Sequence, residues 1–244
     1  MQARQIAIIV GVGPVAGLGG ALCRRFAAAG LHVFASGRSP EKLAAVVAAI
    51  EKEGGRASAV PGDTTSAGDV ARLFGAADET GGRLAAVVYN AGNAAFGDVL
   101  AMAQEQFESV WRVTCLGGFL AAQQAGRRMV PAGSGTLLFT GATASLKARP
   151  PFAAFASAKF ALRGLAQALA RDWGPKGVHV AHVVVDGAIG GEKIKQGLPQ
   201  VAERLGEDGM IGLDGLAEAY FSLHAQPKTA WTHELDLRTF KETW

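Results

Sequence analysis

The feature that most constrains this chain is an apolar strand that runs directly into a glycine-rich segment near the start of the sequence. Ile6–Val10 is a continuous apolar run, which is typical of a strand buried on both faces. The segment GVGPVAGLGG follows at 11–20, and a helical segment comes next. A glycine-rich turn that opens a helix lets a phosphate approach unpaired backbone N–H groups. The segment, with Gly11-x-Gly13-x-x-Ala16, therefore predicts a strand–turn–helix unit that binds the pyrophosphate of a dinucleotide.

Strands and helices alternate along the rest of the chain. Hydrophobic residues make up 49% of the sequence and charged residues 18%, which favours a sheet covered by helices on both faces. The alternation predicts an α/β fold, a single-domain Rossmann-type doubly wound parallel sheet of about seven strands over 1–244, with a substrate lid near 190–212. The predicted strands are Ile6–Val10, Leu31–Ser36, Ala57–Val60, Leu84–Tyr89, Thr136–Thr140, Val178–Val185 and His233–Arg238. Helices are predicted after the glycine turn and at Pro40–Glu53, Ala67–Glu79, Gln104–Val130, Phe152–Trp173 and Leu213–His224.

Composition argues against several classes of function. The net charge is +3 and the basic residues are scattered, so the sequence shows no basic stripe for nucleic acid. The apolar stretch near the N-terminus has about five or six residues, too few for a signal or membrane segment. Cys23 and Cys115 lie far apart, and His179 and His182 point to opposite faces of a predicted strand, so neither pair indicates a disulfide or metal site. We expect a soluble cytoplasmic protein without nucleic-acid, membrane or metal partners.

The end of the second strand bears on the choice of cofactor. An acidic residue in this position accepts a hydrogen bond from an adenosine ribose hydroxyl and selects NAD. Ser36-Gly37-Arg38 stands there instead, so no carboxylate repels a 2′-phosphate and Arg38 is available to pair with one. A surface arginine at the start of a helix is the alternative interpretation. The segment favours NADP(H), with NAD(H) as the second choice.

Further markers follow the strands in a fixed order. Asp63 follows the third strand, Asn90-Ala91-Gly92 the fourth, and Phe155-x-x-x-Lys159 lies on the helix after the fifth. With the turn Gly13-x-x-x-Gly17-Leu18-Gly19, this succession resembles the short-chain dehydrogenase/reductase family over nearly the whole chain. The resemblance implies that Asp63 contacts the adenine and that Asn90, Ala91 and Gly92 line the cofactor cleft. Asp186-Gly187 stands where the family usually has Pro-Gly, and the resemblance assigns Gly187 to the cofactor site.

The resemblance also implies an active site, and the sequence departs from it. The family pairs a tyrosine with a lysine four residues later on one helix face, where the lysine binds the nicotinamide ribose and lowers the pKa of the tyrosine. By position, Phe155 replaces the tyrosine, Ala142 the serine and Thr114 the asparagine, and only Lys159 remains. The four positions look like a divergent subgroup of the family that carries phenylalanine for tyrosine.

Two hypotheses about function follow from these departures. The first is an NAD(P)(H)-dependent oxidoreductase that acts on a small carbonyl or enone substrate with a reorganised acid–base set, in which Thr143, Ser145, Asp186 or an ordered water supplies the proton. Reduction of a conjugated C=C bond is a variant, since the proton then goes to carbon. The second is a catalytically impaired protein that binds NADP as a ligand or redox signal. The resemblance to a family of oxidoreductases favours the first hypothesis.

We also expect a homodimer or homotetramer. The resemblance implies that two helices pair across a two-fold axis between subunits. They are the helix predicted over Gln104–Val130 and the helix that carries Lys159. The residues expected on the outer face are Leu120, Ala121, Ala125, Leu162, Leu165 and Leu169. A stripe that faces the core explains some of these residues equally well.

Overall fold

Within the residues that the structure describes, the chain folds around one parallel sheet of seven strands. A computed structural model describes residues 4–93 and 95–242, so the domain prediction of 1–244 extends past the described residues at both ends. The strand order β3-β2-β1-β4-β5-β6-β7 reverses between β1 and β4, as the doubly wound prediction requires. All six pairings are parallel. The strands are β1 Gln5–Val10, β2 His32–Gly37, β3 Arg56–Pro61, β4 Arg83–Tyr89, β5 Gly135–Thr140, β6 Val178–Val185 and β7 Glu234–Leu237.

Helices cover both faces of the sheet and create a large apolar core on each face, with a smaller cluster between α4 and α6. One core lies under α1, α2 and α9, and the other under α3, α5 and α6. The central strands β1, β4, β5 and β6 are mostly apolar because both of their faces are buried, whereas the edge strands β3 and β7 are more exposed. The helices are α1 Leu18–Ala28, α2 Pro40–Lys52, α3 Ala67–Asp78, α4 Gln104–Trp111, α5 Gly117–Ala132, α6 Ala153–Trp173, α7 Glu192–Gly197, α8 Pro199–Leu205 and α9 Leu213–His224.

Capping residues explain where several helices begin and end. The Ser39 and Ser66 side chains accept hydrogen bonds from backbone N–H groups in the first turns of α2 and α3. Gly133 adopts a left-handed conformation, φ +60°, directly after α5. These signals are local, so the sequence predicted most helix ends to within one or two residues.

The long helix predicted over Gln104–Val130 is interrupted. A π-helical turn, Arg112–Leu116, separates α4 from α5. Such a turn contains an extra residue, so it rotates the faces that α4 and α5 present relative to one another. A single 3.6-residue period over the whole segment therefore misassigns faces on one side of the interruption.

The predicted outer face was wrong for three of its six residues. Ala121, Ala125 and Leu162 are fully buried in the core of the protein itself. Leu120, Leu165 and Leu169 are half-buried against the same core. Large apolar side chains do emerge from these helices, but at Phe107, Trp111, Phe119 and Phe160. No helix within the described ranges is long and apolar enough to cross a membrane.

Candidate functional site

A cleft of about 1300 Å³ opens at the carboxyl ends of the strands. The loops after β1 to β6 all reach it, because parallel strands end on the same edge of the sheet. It collects thirteen of the fourteen residues predicted for the site. They are Gly13, Gly17, Leu18, Gly19, Arg38, Asp63, Asn90, Ala91, Gly92, Ala142, Phe155, Lys159 and Gly187. Thr114 is the exception: its side chain is fully buried outside the cleft lining, and its Oγ1 has no hydrogen-bond partner among the described residues.

The glycines of the first turn serve two different purposes. Gly11 has φ +88°, and a Cβ there would collide with the backbone of Ala91 after β4. A Cβ on Gly19 would lie 2.8 Å from the Cα of Val12, so glycine lets α1 approach the turn. Gly13 has no described protein atom within 4 Å of the place where a Cβ would be. Packing explains the first two glycines, whereas Gly13 leaves space open inside the cleft.

The end of β2 is shaped so that no side chain can stand at position 37. A Cβ on Gly37 would collide with the carbonyl oxygen of Val12. Arg38 is exposed, lines the cleft, and makes no hydrogen bond or ion pair with any residue in 4–93 or 95–242. Its guanidinium is therefore available to an anion in the cleft.

Asp63 holds the loop after β3 in place. Its Oδ1 accepts hydrogen bonds from the backbone N of Thr65 at 2.8 Å and from Thr65 Oγ1 at 2.9 Å. The Asp63 backbone N donates to Asp69 Oδ2 at 2.8 Å. These bonds form a tight turn that keeps the Asp63 side chain at the cleft.

Lys159 is buried on α6 with one backbone partner. Its side chain is only 4% exposed, and Nζ donates to the carbonyl oxygen of Thr140 at 2.6 Å. Burial lowers the pKa of Lys159 to about 8. Nζ lies 5.6 Å from the centre of the Phe155 ring, which is on the same helix face one turn earlier. Position 155 thus lies beside Lys159 as the sequence predicted, and the side chain there has no phenol.

A buried chain of polar groups connects Lys159 to the glycine turn. Tyr220 Oη donates to Thr140 Oγ1 at 2.8 Å, and that hydroxyl donates to Asn90 Oδ1 at 3.2 Å. Asn90 Nδ2 in turn donates to the carbonyl oxygen of Gly11 at 3.1 Å. Sequence reasoning missed Tyr220 and Thr140, because α9 and β5 look like ordinary core elements.

Neither tyrosine of the chain can replace the missing phenol. The sequence holds two, Tyr89 and Tyr220, and both are fully buried. Tyr89 Oη donates to the carbonyl oxygen of Val113, and Tyr220 Oη to Thr140. Burial raises the pKa of both phenols, so each is held as a neutral donor to a fixed partner.

The structure separates the three side chains considered as alternative proton donors. Ser145 is fully buried, and its Oγ accepts from the backbone N of Ala142 at 3.1 Å, so it does not reach the cleft. Thr143 lines the cleft and donates from Oγ1 to Asp186 Oδ1 at 2.5 Å. Asp186 is 3% exposed, and its Oδ2 lies 3.0 Å from Arg238 Nη2. Sequence reasoning missed Arg238 because it follows the last strand, far along the chain from the other site residues.

Metal chemistry has no support in the described part of the chain. No three His, Cys, Asp or Glu side chains come together there in a way that could hold an ion. Cys23 is buried and Cys115 half-buried, and both thiols are free.

Comparison with known proteins identifies the family. The family model described as short chain dehydrogenase matches residues 5–191. A curated oxidoreductase from Sarocladium schorii is 32% identical over 198 residues, which cover 81% of this chain and 75% of that protein. The crystal structure of a short-chain dehydrogenase from Rhodopseudomonas palustris is 36% identical with a TM-score of 0.83, covering 97% of this chain and 99% of the other. A metagenomic short-chain oxidoreductase in complex with NADP has the same fold, with 24% identity, a TM-score of 0.82 and 98% coverage of both chains. The chain therefore belongs to the short-chain dehydrogenase/reductase family.

Proposed function

We propose that the protein is an oxidoreductase that uses NADP(H) and acts on a small carbonyl compound or conjugated enone. The single observation that carries the proposal is the open space at Gly13. No contact within the described chain requires glycine there, and Gly13 lines the cleft in the turn that leads to the N-terminus of α1. A helix N-terminus and a glycine turn suit the pyrophosphate of a dinucleotide.

The preference for NADP(H) over NAD(H) rests on the end of β2. Position 37 excludes the acidic side chain that would bind a ribose hydroxyl, and Arg38 lines the cleft without a protein partner among the described residues. A 2′-phosphate would give that guanidinium a bidentate partner. The metagenomic relative solved with NADP is consistent with this choice.

The part of the cleft around Phe155 and Ala142, called the chemical end below, suits an apolar substrate of modest size. The side chains of Phe96, Phe152 and Phe155 line it, and α7 and α8 belong to the segment 190–212 proposed as a substrate lid. A nicotinamide cofactor supplies hydride there when it is bound. The Lys159 Nζ lies close to Gly92 on the cofactor side of the cleft, which fits a role in binding the nicotinamide ribose.

Binding of NADPH tests the proposal directly. Gly13→Val should abolish calorimetrically measured NADPH binding while leaving the thermal unfolding midpoint close to that of the wild type. Gly164→Val is the matched control, because Gly164 lies on the exposed side of α6 and a Cβ there would also have no described atom within 4 Å. A wild-type protein that does not bind NADPH, or a Gly13→Val variant that binds it normally, would contradict the proposed function.

A second function is favoured by the side chains lost from the active site. Phe155 and Ala142 cannot transfer a proton, and the hydroxyls of both tyrosines are buried and donate to other partners. This set fits an NADP-binding or redox-sensing protein without turnover. Tight NADPH binding combined with no oxidation of NADPH by ketones, enones or aldehydes would favour that function over the oxidoreductase.

We also propose that the protein is a homodimer or homotetramer. Phe107, Trp111 and Phe119 on the α4–α5 segment and Phe160 on α6 are each about two-fifths exposed. Such aromatic side chains are typical of an interface between subunits. Sedimentation at micromolar concentration should show an assembly larger than one chain, and Phe119→Glu should shift it toward the monomer.

A further inference from the structure

The environment of Thr143 differs from that of the other hydroxyl in the turn after β5. Ser145 is buried and bonded to Ala142, whereas Thr143 is half-buried and lines the cleft on the loop that also carries Ala142. Thr143 donates to Asp186 at 2.5 Å, a distance typical of a hydrogen bond to a charged acceptor. The carboxylate is therefore linked to the cleft through one hydroxyl group.

Asp186 is a carboxylate in a buried position, which is energetically unfavourable without partners. A buried carboxylate costs free energy unless it is paired and hydrogen-bonded. Arg238 Nη2 lies 3.0 Å from Asp186 Oδ2 and also binds the Asp236 carboxylate. The Asp186 backbone N donates to the carbonyl oxygen of Leu237. The segment after β7 thus pairs with the carboxylate that accepts the hydrogen bond from Thr143.

We infer that Thr143 and Asp186 form the acid–base pair of this protein, with Arg238 as the residue that positions the carboxylate. The inference rests on the proposed oxidoreductase function. Thr143 Oγ1 would contact the substrate oxygen, and Asp186 would exchange the proton through Thr143. The pair replaces the phenol that Phe155 lacks with a hydroxyl donor from another residue that lines the same cleft.

The proton transfers balance as follows for oxidation of an alcohol by NADP⁺. The substrate O–H bond breaks and its proton moves to Thr143 Oγ1, while the Thr143 hydroxyl proton moves to Asp186 Oδ1. The substrate carbon would lose hydride and become a carbonyl carbon, with a bound NADP⁺ as the two-electron oxidant that the proposed function supplies. After the product leaves, the proton returns through Thr143 to water in the cleft. Carbonyl reduction runs through the same transfers in reverse.

Four variants separate this role from a structural one. Thr143→Val keeps the shape and removes the hydroxyl, Thr143→Ser keeps the hydroxyl, and Asp186→Asn keeps the size and removes the base. Asp236→Asn is the matched control, because Asp236 pairs with the same Arg238 and makes no bond to Thr143.

Three measurements are made on each protein. The first is calorimetric NADPH binding, and the second is turnover with NADPH and cyclohexanone, 2-cyclohexen-1-one or cinnamaldehyde and with NADP⁺ and benzyl alcohol. The third is calorimetric binding of 2,2,2-trifluoroethanol to the protein saturated with NADP⁺, which reports on the hydroxyl contact without turnover.

The expected pattern is specific. Thr143→Val and Asp186→Asn should lower kcat by about 100-fold or more, as expected for loss of a positioned acid–base group. Their trifluoroethanol affinity should fall about tenfold, roughly one charge-assisted hydrogen bond. Thr143→Ser should recover most of the kcat that Thr143→Val loses, Asp236→Asn should stay within a few-fold of the wild type, and NADPH binding should be unchanged in all four.

Other outcomes overturn the inference. Normal kcat in Thr143→Val does so even if Asp186→Asn fails to fold, because threonine and valine have nearly the same shape. A wild type that binds NADPH but neither turns over any substrate of the panel nor binds trifluoroethanol also overturns it and leaves the cofactor cleft intact. A wild type that does not bind NADPH rejects the proposed function itself.

Discussion

The two ends of the cleft differ in what fixes their residues. At the cofactor end, Gly11 and Gly19 are required by close backbone contacts, and Asp63 and Asn90 are tied into hydrogen-bonded turns. At the chemical end, Phe155 and Ala142 line the cleft, and neither side chain can make a hydrogen bond that ties it to another loop. The cofactor end is therefore held by contacts that the fold itself needs, whereas Phe155 and Ala142 lack such polar links.

This difference limits what each end can reveal about function. Glycines that pack against neighbouring loops are explained by stability alone, so their presence does not distinguish an enzyme from a binding protein. Gly13 and the unpaired Arg38 have no such structural need among the described contacts, and Thr143 lies between the cleft and a buried carboxylate, which packing alone does not require. Function is therefore inferred from these residues, and substitutions there separate the two ends most clearly.

The largest effect is expected from restoring the usual groups at the chemical end. Phe155→Tyr alone should raise ketone reduction only slightly, because the serine-position hydroxyl is still missing. Phe155→Tyr with Ala142→Ser should raise it by about 10²-fold, the lower end of what a positioned general acid contributes, since Lys159 is one helical turn away. NADPH oxidation with cyclohexanone measures the change.

The same pair of substitutions should help most in an Asp186→Asn background, where the inferred acid–base pair is absent. Ala142→Ser without the tyrosine serves as the control. If the double substitution does not raise ketone reduction in either background, these two side chains alone do not restore the acid–base chemistry. The proposed difference between the two ends of the cleft would then be wrong.

A smaller effect is expected at the cofactor end. Arg38→Ala should weaken NADPH binding by about 1.5–3 kcal/mol, the range for a bidentate charged hydrogen bond, and should leave NADH binding nearly unchanged. Arg127→Ala provides a matched control, because Arg127 is exposed on α5 and does not line the cleft. Equal losses for both cofactors would show that Arg38 does not contact the 2′-phosphate.

A comparable effect should appear in the pH dependence of stability. Burial lowers the pKa of Lys159 from its usual 10.5 to about 8, so between these values the unfolded chain binds more protons than the folded one. Unfolding free energy should therefore rise as pH increases from about 8 to about 10.5. Lys159→Met should lack this contribution, and the difference between the denaturation midpoints of the two proteins over that range measures it. A constant difference would mean that Lys159 keeps its ordinary pKa.

The sequence predicted the fold and most of the cleft because both depend on local patterns. Apolar runs identify the strands, and the glycines, Asp63, Asn90 and Lys159 each follow a strand, so the parallel sheet brings them to one edge. Contacts between distant elements were not predictable. The pairing of Asp186 with Arg238 depends on the register of β6 and β7, and the π-turn at Arg112–Leu116 has no recognisable local pattern.

The smallest effect tests whether the two ends are coupled. Tyr220 on α9 donates to Thr140, whose carbonyl oxygen binds Lys159 and whose hydroxyl binds Asn90 beside the glycine turn. Tyr220→Phe removes one buried hydroxyl and should destabilise the protein by about 1 kcal/mol, the usual net value of a hydrogen bond. If the chain of bonds also orients the turn, NADPH binding should weaken by a few-fold at the same time. Thr80→Val, which removes a hydroxyl bonded only to the end of α3, is the control that should change stability without changing NADPH affinity. Loss of stability with unchanged affinity in Tyr220→Phe would mean that the ends of the cleft are built independently.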